Sequence, residues 1–384
     1  MRIALVFPGC HRQGGVERVV WEAASHLVSS HDVYVVAREV RDLPAGVTWL
    51  RVGVKTGLPW PAPTRFRAEA QKVIDRLKPD VSVTYGSECP AGDIQVVNSV
   101  HRAWLERAGS VQLGQLTLPG WVRFISPRHI ARLVMEWSYF RQDPMLLVPC
   151  ASRVVFDLER LYRIRIPKDR ITVVHNGFDP KTFSPEHRKA FREQARNRFE
   201  YSPDDIVLVM IANEWQRKGL KVLLDAMALV RPSPFRLLLV GRKAPTSFAV
   251  QIKSLRLGDR VRYVGAVDDV ALYHSAADVF VLPTQYEAFA LAIVEALASG
   301  LPVITTNVPG ASDLITPGMN GLLLDNPEDC RALAGLLQQA MDVATRTRWS
   351  ENAPLSVIGL DWKSLMTIFE TAILDAMEKP ILDL

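Results

Sequence analysis

The chain has 384 residues, few cysteines and no long apolar run. Its four cysteines, Cys10, Cys89, Cys150 and Cys330, are scattered without a C-x-x-C pair. That argues against a disulfide framework or a cysteine metal site and fits reduced thiols in a cytoplasmic protein. No stretch reaches the ~18 uncharged apolar residues of a membrane-spanning helix. The opening MRIALVFPGCHRQGG has one arginine before a short apolar run and no small-x-small cleavage site, so it reads as a first strand, not a signal peptide. Internal repeats and low-complexity tracts are absent. The dinucleotide fingerprint G-x-G-x-x-G is absent too, because Gly9 and Gly14 are wrongly spaced. No D-x-D-type acidic pair beside a strand calls for a metal.

What remains is the composition of an ordinary globular protein, 48% hydrophobic and 23% charged. At ~150 residues per domain the length predicts two to three domains. The net charge of +5 is unevenly spread. Residues 1–200 hold 30 Lys and Arg against 20 Asp and Glu, whereas residues 201–384 hold 16 against 21. A basic half suits an anionic partner: nucleic acid, anionic lipid or a phosphorylated substrate.

Strand-like and helix-like segments alternate twice along the chain. RIALVF (2–7), DVYVVA (32–37) and DVSVTY (80–85) are compact apolar strands, with helical spacing over 16–27 and 64–77 between them. The series restarts at IVLVMIA (206–212), with further strands at 236–240, 261–264, 279–283 and 302–305. Helical spacing recurs over 220–229, 291–299 and 329–343. Such βαβ alternation predicts parallel sheets with helices on both faces, in two doubly wound Rossmann-like domains facing a central cleft. The turn-rich HNGFDPKTFSP (175–185) marks the boundary. Ligands bind beyond the carboxyl ends of such strands, so functional residues belong on the loops that follow them.

Three loops meet that condition. The strongest is PTQYEAFALAIVEALASG (283–300), where Glu287 lies in a loop and Glu295, eight residues later, on the helix that follows. A helix start offers N–H groups to a phosphate. The carboxylates, as acceptor-only groups, suit sugar hydroxyls at Glu287 and ribose hydroxyls at Glu295. Glu295 has Ile293, Val294, Ala296 and Leu297 as neighbours, so a carboxylate there needs a reason. The second loop is NEWQRKGL (213–220), whose Arg217 and Lys218 suit a diphosphate as bidentate fork and point charge. The third is Gly14–Gly15, which permits close backbone approach to a ligand.

Together these features resemble the retaining glycosyltransferases of family 4, which have the GT-B fold. The resemblance covers nearly the whole chain. It rests on the early Gly-Gly turn, Asn176–Asp179 (NGFD), Arg217-Lys218-Gly219, the E-x7-E pair Glu287…Glu295, and the SGLPVITTNVPGASDLI…NGLLL segment (299–324). Within the family it looks most similar to the branch with the lipopolysaccharide-core glucosyltransferases. It implies an acceptor-binding domain over 1–178, joined by a crossover helix within 360–384, and a nucleotide-sugar-binding domain over 179–359. It assigns Arg217, Lys218, Glu287 and, by a looser match, His101 to catalysis. Gly15, Asn213, Ala288, Phe289, Ala290, Leu291 and Glu295 go to donor binding, and Gly14, Arg102 and Trp104 to the acceptor. Two departures stand out. Ala288 and Ala290 replace glycines usual around the phenylalanine, and Asn213 replaces an arginine, so the diphosphate rests more heavily on Arg217 and Lys218.

The implied reaction moves a hexose from a nucleoside diphosphate sugar, with UDP expected, to a glycolipid or cell-surface saccharide such as lipopolysaccharide core. The anomeric configuration is retained, and no metal or cofactor is required. Residues 101–141 carry three Trp (104, 121, 137) and six Arg against two acids, a composition suited to an anionic membrane surface or a phosphorylated glycolipid. The expected location is therefore cytoplasmic, with a peripheral position on the inner face of the cytoplasmic membrane. A two-lobed sugar- or nucleotide-binding protein without catalysis is the alternative. A nucleic-acid-binding protein is a third reading, which lacks a recognised motif.

Overall fold

The computed structural model describes residues 1–53, 62–107, 111–113, 116–118, 120–164 and 166–378. The chain forms two units, Met1–Asn176 with Trp362–Leu384, and Gly177–Asp361.

The first unit is built on six parallel strands in the order Leu146–Pro149, Ile94–Val97, Val81–Tyr85, Arg2–Val6, Asp32–Ala37, Thr48–Arg51. The strands Val81–Tyr85 and Ile94–Val97 are buried throughout, as in a sheet covered by helices on both faces. Val16–Leu27 and Ala62–Leu77 are helices, matching the apolar spacing. The C-terminal helix Trp362–Glu378 joins this unit, where Glu370 bridges His26 (2.8 Å) and His31 (3.0 Å).

The second unit repeats the plan: Val261–Tyr263, Phe235–Val240, Ile206–Ile211, Val279–Leu282, Val303–Thr306, Gly321–Leu324, all parallel. In both sheets the first strand sits beside the fourth in chain order, so connections run to either side of that pair. That pair is the topological switch point of a doubly wound fold, and the crevice above it takes ligands. In the second unit the loops above it are Asn213–Gly219 and Pro283–Ala290, which carry both charged motifs.

Two expectations need correction. The helix expected over 329–343 ends at Gln339, and a separate helix, Val343–Asn352, follows, because Asp342 accepts from Thr345 N (2.8 Å) and caps a new start. The charge contrast also shifts when counted by unit. The first holds 26 basic and 20 acidic residues, the second 20 and 21. Part of the basic surplus before residue 200 lies on the helix Pro185–Arg198 of the second unit, which holds five basic residues against two acids. There Arg188, Arg192 and Arg196 sit one turn apart and bond carbonyls of Gly300, Ala277, Ser275 and Ala276, while Arg192 and Arg196 grip Asp278. These arginines satisfy backbone carbonyls at the ends of two helices and the Asp278 carboxylate within their own unit.

Candidate active site

The basic turn is held on both sides before its cations are placed. Trp215 is buried, donates Nε1–H to Lys243 O (2.6 Å) and meets the Tyr263 ring edge-on. Gly219 starts the helix Leu220–Leu229 at φ +84°, and a Cβ there would lie 2.0 Å from the Pro283 carbonyl oxygen. Only glycine allows that approach. The Arg217 carbonyl accepts from Gln285 N (2.9 Å) and Thr284 Oγ1 (3.3 Å). Thr284 is fully buried, so the basic turn and the Glu287 loop are tied together.

The side chains then converge. Arg217 donates Nη1–H to Glu287 Oε2 (3.2 Å) and Nε–H to Glu214 Oε2 (2.8 Å), and Lys218 Nζ bonds the same Glu287 oxygen. Burial, then the Arg217 charge, push the Lys218 ammonium well below the ordinary lysine value, with Glu214 opposing. The Glu287 carboxylate in direct contact favours the charged form. Glu295 lies on the helix Leu291–Ala298 and is only 8% exposed. Ala288, Phe289 and Ala290 are buried, and Ala288 O and Phe289 O accept from Gly310 N (3.1 Å) and Ala311 N (2.9 Å). Ala290 precedes that helix at φ +76°, a left-handed conformation natural to glycine and strained for alanine. No side chain caps the helix start, which Leu291 opens. Asn213 does not join the cluster: its Oδ1 accepts from Arg242 N (2.9 Å).

His101, Arg102 and Trp104 open a helix of the first unit, His101–Arg107. The His101 ring stacks on Trp104 (centroids 5.2 Å) and on His129 (5.1 Å), with Nε2 3.1 Å from His129 Nδ1. Burial, then the charge of Arg132 and the nearby His129, push His101 down to about 3, so it is neutral at pH 7. Arg102 is engaged by the fold, donating to Leu161 O (3.0 Å). Gly14 has φ +118°, whereas Gly15, at the start of Val16–Leu27, has φ −95° and open space where a Cβ would stand.

Sequence reasoning missed Glu136. This carboxylate is 2% exposed, accepts from the backbone N–H of His101 and Arg102 (3.0 Å) and from Tyr162 O–H, and so anchors the helix that bears His101. Its helical spacing from Tyr139 and Phe140, both buried, was the available signal. His129, Glu214 and Thr284 were also missed. In the Trp- and Arg-rich segment, Trp121 and Trp137 are 62% and 53% exposed, beside exposed Ile125 and Val134. No helix among the described residues is long and apolar enough to cross a membrane.

Two doubly wound units, the second with cations and a carboxylate over its switch point, define a protein of the GT-B class. The chain belongs to the family 4 glycosyltransferases: residues 13–182 match the model of Glycosyltransferase Family 4, and residues 191–356 that of Glycosyl transferases group 1. One relative is the D-inositol 3-phosphate glycosyltransferase 2 of Catenulispora acidiphila, 28% identical, with 68% of this chain and 63% of that protein aligned. Another is the lipopolysaccharide glucosyltransferase WaaG of Escherichia coli, 26% identical over 59% of this chain and 61% of WaaG. The chain thus spans somewhat less than two thirds of these relatives' length. A crystal structure of WaaG superposes with a TM-score of 0.83 at 22% identity, covering 97% of this chain and 99% of WaaG. HepE of Anabaena, solved with UDP-glucose, gives a TM-score of 0.70 at 18% identity, covering 98% and 100%. At these identities the structural likeness speaks for the fold alone.

Proposed function

We propose that this chain transfers a hexose from UDP-hexose to a hydroxyl of a glycolipid or cell-surface saccharide, with retention and without metal. The second unit takes the donor and the first unit the acceptor. The observation that carries this is the convergence of Arg217 and Lys218 on Glu287 over the switch point of the second sheet. Breaking the C1–O bond to the diphosphate puts positive charge on the sugar and negative charge on the leaving group. The two cations and the start of the helix Leu291–Ala298 stabilise the latter once the diphosphate has displaced Glu287 from the cations. The acceptor oxygen bonds C1 on the departing face and passes its proton to a leaving phosphate oxygen, which retains the anomeric configuration. Glu287 then faces sugar hydroxyls, and Glu295 the ribose. The HepE complex supports UDP, and the WaaG relative supports a saccharide of the lipopolysaccharide kind. Exposed Trp121 and Trp137 amid arginines support a peripheral seat on an anionic leaflet of the cytoplasmic membrane.

The test is thermal unfolding with UDP, GDP, ADP and their sugars, with and without Mg²⁺, followed by turnover assays. A ligand at a hundredfold excess over Kd adds ~2.7 kcal/mol to stability. Stabilisation by UDP and UDP-hexose without metal, lost in Lys218→Ala and Glu295→Ala, is the expected result. No response to any nucleotide overturns the donor site. Binding without transfer to any saccharide acceptor favours a sugar- or nucleotide-binding protein.

A further inference from the structure

We propose that the second unit carries another ligand site, for a phosphate monoester with an apolar body, at the end of its sheet opposite the Glu287 loop. A cavity of about 380 Å³ lies there, lined by Arg231, Arg256 and Arg260 over Met227, Leu255 and Leu257. Arg231 stands in the turn between the helix Leu220–Leu229 and the strand Phe235–Val240. Arg256 and Arg260 stand in the segment between the helix Ala249–Ser254 and the strand Val261–Tyr263. Both segments run into the amino ends of two strands that pair in parallel, Leu237 beside Val261. The basic turn and the Glu287 loop follow carboxyl ends, so the cavity is no part of the donor site.

Its chemistry is one-sided. Three arginines line it, and no acidic residue lines it among the described residues. Arg231 spends Nε–H on Ala228 O (3.1 Å), at the carbonyl end of its helix. Its terminal nitrogens, and the whole guanidinium groups of Arg256 and Arg260, have no hydrogen-bond or ion-pair partner among the described residues. Three like charges around one hollow repel, and a dianion relieves that repulsion better than a monoanion. Guanidinium forks match the paired oxygens of a phosphate. Met227 and Leu257, at 0% and 2% exposure, lie packed beneath the cavity, and half-buried Leu255 and exposed Pro232 are the apolar groups open to a ligand. The volume falls in the ~300–1,000 Å³ range of small-molecule sites.

The full-length protein is titrated calorimetrically with phenyl phosphate, which lacks the base and ribose that a nucleotide site reads. Phenol and inorganic phosphate are the controls. One site per chain is expected, with phenol inert and inorganic phosphate weaker. Affinity should fall as pH drops through ~6, where the monoester loses its second charge. Arg256→Ala with Arg260→Ala should weaken binding at least tenfold, while Arg256→Lys with Arg260→Lys, which keeps charge but not the fork, should lose less. Lys218→Ala should leave phenyl phosphate binding unchanged, which separates this site from the donor site. Vesicles with phosphatidic acid distinguish the source. Retention that the double alanine variant loses points to a lipid headgroup, and its absence points to a free phosphate monoester. No binding of phenyl phosphate, or unchanged affinity in a folded double alanine variant, overturns the proposal.

Discussion

Replacing Glu287 by glutamine should tighten the binding of UDP while slowing transfer. Glu287 Oε2 occupies both Arg217 (3.2 Å) and Lys218, the cations proposed to meet the diphosphate. The carboxylate therefore stands where a phosphate oxygen would, and the diphosphate must displace it. At 3.2 Å and an effective dielectric of about 20, the Arg217–Glu287 attraction is roughly 5 kcal/mol before desolvation is subtracted. Charged hydrogen bonds contribute about 1.5–3 kcal/mol net. Glutamine keeps an acceptor oxygen, so the loss lies at the lower end, near 1.5 kcal/mol, or about tenfold in affinity. The unliganded variant should be less stable by about 1–3 kcal/mol, because Lys218 and Arg217 lose their shared counter-charge in a site where their side chains are only 12% and 19% exposed. Calorimetry with UDP, thermal unfolding with and without UDP, and kcat with UDP-hexose make the set. The expected result is a lower Kd for UDP, a lower unliganded Tm that UDP restores, and a reduced kcat. Unchanged or weaker UDP binding in a folded Glu287→Gln variant would refute the competition.

Gly219→Ala should lower Tm and abolish nucleotide binding together, since its Cβ would meet the Pro283 carbonyl at 2.0 Å and force the two loops apart; a variant that still binds UDP normally contradicts that coupling. Ala290→Gly should relieve left-handed strain of ~1–2 kcal/mol, partly offset by ~0.5–1 kcal/mol of backbone entropy, so urea unfolding should show a small net gain or no change. Stability should also fall in acid through His274. This side chain is fully buried between Phe183 and Phe280, and burial, then Arg188, hold its pKa at about 3. Above its unfolded value of 6.5 both states are neutral. Between 6.5 and about 3 only the unfolded chain takes the proton, so stability drops by up to ~1.4 kcal/mol per pH unit. Urea unfolding of His274→Phe at pH 7.5 and 5 should show a smaller drop than the parent, and an equal drop would rule this histidine out.

The fold was legible because its strongest signals are local and repeated. Runs such as DVYVVA (32–37) and the helix Leu220–Leu229 appear where apolar spacing puts them. A sheet buried on both faces leaves no polar alternation to confuse the pattern. The charged motifs were legible as loops after strands. Their mutual grip was not, since it depends on Gly219 seating against Pro283, some sixty residues away. The failures share one physical cause. A formal charge says nothing about where its side chain is satisfied. Arg188, Arg192 and Arg196 add to the basic count of residues 1–200 but serve buried carbonyls, and Asn213, which the resemblance assigns to the donor, has its amide oxygen on the Arg242 N–H. Glu136 reads as one of two acids in a cationic segment, yet it is the buried anchor of the helix bearing His101. Period-3.6 spacing, applied to charged residues as strictly as to apolar ones, puts Glu136 beside Tyr139 and Phe140 on the inner face of its helix. An inward carboxylate must find donors, and the uncapped N–H groups at a neighbouring helix start are the nearest kind available. The same rule bears on Glu295, an acid on a helix whose neighbours are apolar and which is itself buried. Its place was legible from sequence because the burial of a charge is informative only when the helix around it is apolar enough to fix which way it faces.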